Sequence, residues 1–374
     1  MSTNTKKALI YNKYLSTAGG GERAAFDLAS ALLVCGYEVL IASDDPLGEI
    51  SIDQISQKFG SYLGLKFRKF SSLEEILNFS RITKVDLFVN HTYCSFIPNP
   101  LLGTGAKAIY LMMFPAITSV EQVEALNTYD LILSISEFTA TYLEVYAEKF
   151  CKLTAKHEVL VLPISTSHTD NSSCELKNKE KLIINIGRFN VNGHSKCQLD
   201  AIKLFKDLKR DGVLDPEWSM ICAGQINRLP ENIDYFNQCK LEAQGERVEV
   251  LADLSFQEIV KLYQRASILI QVTGFNLPFG VNPEKCEHLG LVALDCAAYG
   301  VIAVCSQRSG ISAIINHGTD GFIFDGVSEA QAYIGLLAAE FQTSFHQELI
   351  ENITQLKSQY TFDNYCNNVR TLIY

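Results

Sequence analysis

Short runs of β-branched and apolar residues, closed by turn residues and separated by stretches of helical periodicity, recur along this chain and set its fold class. KALIYN, EVLIAS, VDLFVN, KAIYLMMF, DLILSIS and EVLVLP succeed one another up to Pro163. KLIINIG, SMICAG, RVEVLAD, SILIQV, VIAVCS and GFIFD follow from Lys181 onward. Runs that are apolar throughout are strands buried on both faces, and a parallel sheet with helices on either side buries them so. Between the two sets lies STSHTDNSSCELKNKEK, polar and without aromatics, which reads as a linker. A chain of 374 residues is also longer than one core usually supports. The expected organisation is a Rossmann-like domain over 1–165, a second over 166–361, and an amphipathic C-terminal helix over 362–374 that crosses back to the first. Ligands of such folds sit beyond the carboxyl ends of the strands.

Some function classes fall away on composition. The formal net charge is −10, which argues against a nucleic-acid partner, because neutralising phosphates takes a dense basic face. Residues 1–165 carry 14 Lys and Arg against 17 Asp and Glu, so most of the excess negative charge lies beyond them, and the N-terminal part suits an anionic partner better. The cysteines are scattered singly with no CxxC pair, as expected of reduced thiols rather than a zinc or redox site. The first residues run directly into a strand, and no stretch approaches the ~18 apolar residues of a membrane span, so a cytoplasmic protein is expected. In LKFRKF, Lys66, Arg68 and Lys69 alternate with Leu65, Phe67 and Phe70. That pattern suits a solvated strand edge, with weak peripheral contact at the inner face of the membrane as the alternative.

Three stretches could carry chemistry. In TAGGGERAAFDLASALL, Gly19, Gly20 and Gly21 precede a helix whose Ala25, Leu28, Ala29 and Leu32 point inward. Glycines there let backbone N–H groups approach an anion, although a tight strand-to-helix turn explains them equally. In INIGRFNVNGHSKCQLDAIKLF, Arg188 follows a strand and Lys196 precedes a helix, two cations able to hold a diphosphate or simply to be solvated. In PEKCEHLGLVALDCAAYG, Glu287 stands ahead of a helix that begins near Gly290 and Leu291, and Asp295 lies within it. An acid in so apolar a helix demands a partner. His91 stands just after the VDLFVN strand, where the plain reading is a surface or capping histidine. Ser255 and Glu258 form a capping box ahead of an amphipathic helix that reads as structural.

Together these elements, in this order over about residues 7–326, resemble the family-four retaining glycosyltransferases. The resemblance implies GT-B architecture: α/β, two Rossmann-like domains facing each other across a cleft. It implies that Gly20 and Gly21 line the donor phosphates, that Arg188 and Lys196 stabilise the leaving diphosphate, and that Glu287 contacts donor sugar hydroxyls. Asp295 would bind the ribose, and His91 would face the reacting sugar. Donor-binding positions also follow at Gly224 in CAGQIN, at Thr273, Gly274 and Phe275 in TGFN, and at Gly290 and Leu291. The family's usual element is Glu, seven residues, Glu, and here Asp295 takes the second place. Many relatives carry a Glu where Ala313 stands in RSGISAIINHG.

The implied partners are a nucleotide-sugar donor, as co-substrate rather than cofactor, and a saccharide or lipid-linked acceptor. Breaking a glycosyl–phosphate bond puts negative charge on the diphosphate and positive charge on the sugar, and Arg188, Lys196 and backbone amides would meet the first. No covalent nucleophile and no metal site are expected. A non-catalytic sugar-nucleotide binder and an epimerase of the same architecture are the alternatives, and a dinucleotide oxidoreductase fits less well because GxGxxG is absent.

Overall fold

The computed structural model describes the chain except residues 1–4, 16–18, 46–54, 56–61, 63, 93–95, 166–175, 192, 193, 279 and 374. The described residues form two compact units, Met1–Ser167 with Tyr360–Tyr374, and His168–Gln359. Most of the polar stretch read as a linker, 166–175, lies outside the described residues.

The N-terminal unit holds seven strands: β1 (Lys7–Tyr11), β2 (Glu38–Ser43), β3 (Lys66–Lys69), β4 (Leu87–Asn90), β5 (Lys107–Met112), β6 (Leu131–Ser134) and β7 (His157–Val159). They pair in parallel in the order β3-β2-β1-β4-β5-β6-β7, with Tyr11 opposite Asn90 where β1 meets β4. Helices α1 (Gly20–Val34), α2 (Leu73–Ile82), α3 (Val120–Leu126) and α4 (Glu137–Glu148) connect them. The six apolar runs are all strands, and LKFRKF adds the seventh as the sheet edge, with Lys66, Arg68 and Lys69 exposed. Lys66 pairs with Glu38 at 3.0 Å, and the Arg68 guanidinium lies 4.6 and 4.8 Å from the ring centres of Phe70 and Phe79. Ala25, Leu28, Ala29 and Leu32 of α1 are fully buried, as their spacing requires.

The C-terminal unit holds β8 (Leu182–Ile186), β9 (Ser219–Gly224), β10 (Val248–Ala252), β11 (Ile268–Gln271), β12 (Ile302–Ser306) and β13 (Gly321–Phe324). These too are parallel, in the order β10-β9-β8-β11-β12-β13. Helices α5 (Gln198–Arg210), α6 (Pro230–Glu242), α7 (Phe256–Arg265), α8 (Leu291–Ala297), α9 (Val327–Ala339) and α10 (Ser344–Gln359) cover the sheet. The Ser255–Glu258 capping box forms and sets the start of α7, which buries Leu262 and Tyr263. Trp218 sits fully buried with Phe205, Phe324 and Leu208 in the core of this unit.

The last helix, α11 (Phe362–Ile373), belongs to the N-terminal unit and packs on α1, burying Tyr365, Cys366, Val369 and Ile373. Lys107 Nζ donates to the carbonyls of Leu372 and Ile373 at 3.3 and 2.9 Å, placing a cation at the negative end of that helix. No helix among the described residues is long and apolar enough to cross a membrane.

In each sheet the strand order reverses between two central neighbours, β1 and β4 in one unit, β8 and β11 in the other. Chains leaving those strands diverge to opposite faces, which opens a crevice at their carboxyl ends. Gly20, Gly21, His91, Arg188, Lys196, Thr273 and Glu287 lie on the segments that leave those four strands.

Candidate active site

In the C-terminal unit the crevice is bounded by the loop after β8, the loop after β11 and the N-terminus of α8. Gly187 and Arg188 follow β8 directly, and a Cβ at Gly187 would lie 2.4 Å from Lys196 Cγ, so the lysine stem crosses the end of the strand at the one position without a side chain. Gly224, at the end of β9, is closed against the same loop, since a Cβ there would lie 1.8 Å from the Gly187 carbonyl oxygen. Cys197 enters α5 in the left-handed region, at φ 54°, an uncommon conformation for a side-chain-bearing residue and one that marks this loop as constrained.

Lys196 Nζ is held by Glu287 Oε2, which also accepts from Gln271 Nε2 at 3.0 Å. The side chains of Lys196 and Glu287 are only 17% and 8% exposed, so the pair is screened from most of the solvent. Gln271 Oε1 in turn accepts from Cys305 Sγ at 3.4 Å, and this fixes which end of the amide faces Glu287. The Glu287 carbonyl accepts from Gly310 N at 2.8 Å, which ties its backbone to the loop after β12.

Two imidazoles flank the ion pair. His194 stacks on His288 with ring centres 4.6 Å apart and planes 11° from parallel. His194 Nε2 lies 3.4 Å from Lys196 Nζ and 3.8 Å from Glu287 Oε1, and His288 Nε2 donates to the Glu284 carbonyl at 3.1 Å. Burial holds His288 down at about 4, partly offset by the Glu287 charge. Burial also pushes His194 well below its ordinary value, and the charges of Lys196 and Arg188 add to the effect. Both rings are therefore neutral at pH 7, and the local positive charge resides on Lys196 and on the exposed Arg188.

The remaining expected positions surround this centre. Gly290 caps α8 at φ 95°, where a Cβ would fall 2.8 Å from Ile311 Cβ, so conformation and packing both demand glycine. Leu291, half-buried, is the first residue of α8. Asp295 is buried within that helix and is partnered, as an acid in apolar surroundings must be. Thr273 and Gly274 are buried after β11 and Phe275 is half-buried, and Thr273 Oγ1 has no hydrogen-bond partner among the described residues. Ala313 is exposed at the end of the 3-10 turn Gly310–Ala313.

In the N-terminal unit, Gly20 and Gly21 open α1, and Gly19 N donates to Glu22 Oε2 at 2.6 Å, so a carboxylate already caps this helix end. His91, buried at the end of β4, lies near Gly21: a Cβ on that glycine would come within 3.8 Å of His91 Cε1. Burial lowers the His91 pKa to about 4.

Sequence reasoning did not assign His194, His288, Gln271 or Asn12. Gln271 and Asn12 left a signal, each being a polar residue closing a strand run that is otherwise apolar. The histidines left none beyond adjacency to Lys196 and Glu287.

The model of the family described as Glycosyl transferases group 1 matches residues 168–356, half of the chain. This chain belongs to that family. No curated protein matches the glycosyltransferase in sequence. Among solved structures, a glycosyltransferase from Rickettsia africae is 14% identical, with 99% of this chain and 98% of that one covered at a TM-score of 0.75. Anabaena HepE, solved in complex with UDP, is 14% identical over 98% of this chain and 99% of its own, at a TM-score of 0.73. Sucrose-phosphate synthase from Thermosynechococcus elongatus is 13% identical over 98% of each chain, at 0.69. These likenesses establish the GT-B fold for this glycosyltransferase.

Proposed function

We propose that the protein is a retaining glycosyltransferase that transfers a hexose from a nucleotide-sugar donor to a saccharide or lipid-linked acceptor, in cytoplasmic synthesis of a cell-surface polysaccharide or glycoconjugate. The observation that carries this reading is the Lys196–Glu287 pair set beside the exposed Arg188 at the switch point of the C-terminal sheet. The arrangement supplies both charges that the reaction develops. Arg188 and Lys196 meet the diphosphate as it departs, and the Glu287 carboxylate accepts from sugar hydroxyls as the ring gains positive charge. Two fixed cations serve the leaving group without a metal, and the acceptor attacks from the face that the diphosphate leaves.

A UDP-sugar is the donor proposed, because HepE, alike in fold, has been solved in complex with UDP-glucose. Gly224, Thr273, Gly274, Phe275, Gly290 and Leu291 are assigned to the donor, and Asp295 to its ribose. Gly20, Gly21 and His91 are assigned to the phosphates and the reacting sugar. A thermal-shift screen of UDP-, GDP- and ADP-sugars tests the reading. One of them at a hundred times its Kd should stabilise the protein by about 2.7 kcal/mol. Release of nucleotide with an α-linked product from an α-linked donor should follow when acceptor saccharides are added. Stabilisation by none of the three, or an inverted product, overturns it.

A further inference from the structure

The ring nitrogens of a neutral histidine are not equivalent, and the hydrogen bond made by one decides what the other can do. At His91 that bond comes from Asn12. The two residues follow Tyr11 and Asn90, which are paired where β1 meets β4, and His91 N donates to the Tyr11 carbonyl at 2.8 Å. Both side chains are buried. Asn12 Oδ1 accepts from the backbone N–H of Tyr14 at 3.0 Å, so the amide nitrogen must be the end turned to His91, and Asn12 Nδ2 lies 3.2 Å from His91 Nδ1. An amide NH₂ only donates, so Nδ1 accepts, and the proton of the neutral ring stands on Nε2.

The chain on either side of the ring is held as well. Thr92 Oγ1 donates to Asn90 Oδ1 at 2.8 Å, Asn90 Nδ2 donates to the Tyr129 hydroxyl at 3.0 Å, and the Tyr110 hydroxyl donates to the Thr92 carbonyl at 3.0 Å. These bonds fix the end of β4 on either side of His91. Nε2 itself is buried and has no partner among the described residues, an uncommon state for a buried polar atom. The ring edge at Cε1 lies near Gly21, at the positive end of α1.

We propose that Asn12 is a positioning residue that fixes the His91 proton on Nε2, so that His91 meets an oxygen of the bound donor as a hydrogen-bond donor and not as a base. The assignment of a ligand to His91 rests on the function proposed above, whereas the position of the proton does not. Asn12→Asp is isosteric and keeps an acceptor for Tyr14 N–H, but it presents an acceptor to Nδ1 and so draws the proton there.

Nitrogen NMR on chain labelled at histidine, assigned with His91→Gln, reads the tautomer directly. The native chain at pH 7.5 should show His91 protonated at Nε2 and bare at Nδ1, and Asn12→Asp should move the proton to Nδ1. A native ring protonated at Nδ1, or an Asn12→Asp ring still bare there, overturns the assignment. The native spectrum decides this even if the variant does not fold. With the nucleotide sugar selected by thermal shift, Asn12→Asp should lower kcat about 10- to 100-fold with KM changed less than about threefold, close to the loss in His91→Gln. Full turnover in Asn12→Asp beside a loss in His91→Gln overturns the positioning role. Full turnover in both removes His91 from the active site and the positioning role with it, while the tautomer result stands.

Discussion

Replacing Lys196 by Ala should produce two losses of separate origin, and one further substitution should repair only one of them. Glu287 is 8% exposed and its two partners on Oε2 are Lys196 Nζ and Gln271 Nε2. Removing the ammonium leaves a buried carboxylate held by one neutral amide, and breaking a buried pair in this way costs about 3–5 kcal/mol. For a unit the size of His168–Gln359 this lowers the melting temperature by roughly 6–20 °C, at about 2–4 °C per kcal/mol. Turnover should fall at least about 100-fold, because the departing diphosphate loses a cation worth about 3 kcal/mol. Adding Glu287→Gln removes the orphaned charge while keeping the shape. Calorimetry on the double variant should therefore show most of the lost melting temperature restored, while nucleotide release stays as low as in Lys196→Ala. If the second substitution restores no stability, the ion pair is not the coupled unit described here. If the double variant turns over at the native rate, Lys196 does not serve the leaving group.

Further outcomes follow from the same structure. Arg188→Ala, at an exposed position, should leave the unfolding free energy within about 0.5 kcal/mol of native and still cut turnover severely, so near-native turnover would remove it from the phosphate site. Asp295→Asn should weaken binding of free UDP, measured calorimetrically, more than it changes kcat, since a ribose contact persists in ground and transition states alike; unchanged affinity would make Asp295 structural. The histidine at 288 has its pKa lowered from an ordinary value near 6.5 to about 4, so as pH falls from 6.5 toward 4 the unfolded chain takes up a proton that the native ring does not. Native stability is lost over that window, and His288→Gln should flatten the slope seen in urea unfolding by up to about 1.4 kcal/mol per pH unit. Gly224→Ala must displace the Gly187 carbonyl from 1.8 Å and should lose both stability and donor binding, whereas a native-like melting temperature would contradict the tight closure of β9 on β8.

Strand identity and fold class were legible in the chain itself, because a run such as Ile268–Gln271 or Ile302–Ser306, buried on both faces, has no polar side to confuse the reading. Helix ends were legible where local chemistry sets them, as at the Ser255–Glu258 box, and the glycines at 224 and 290 stand where backbone approaches backbone or φ turns positive. The edge strand Lys66–Lys69 was harder, since its charges suit solvent as well as a sheet. Pairing was not legible at all. Nothing local links Lys196 to Glu287, 91 positions apart, or Asn12 to His91, 79 apart, and the meeting of each pair depends on which strands become neighbours at the reversal of strand order. Local sequence determined the elements and the residue types at their ends, because those depend on contacts a few positions away. Only the tertiary structure decided which charges neutralise each other and which nitrogen of His91 carries the proton, because those depend on groups that the chain brings together over long separations.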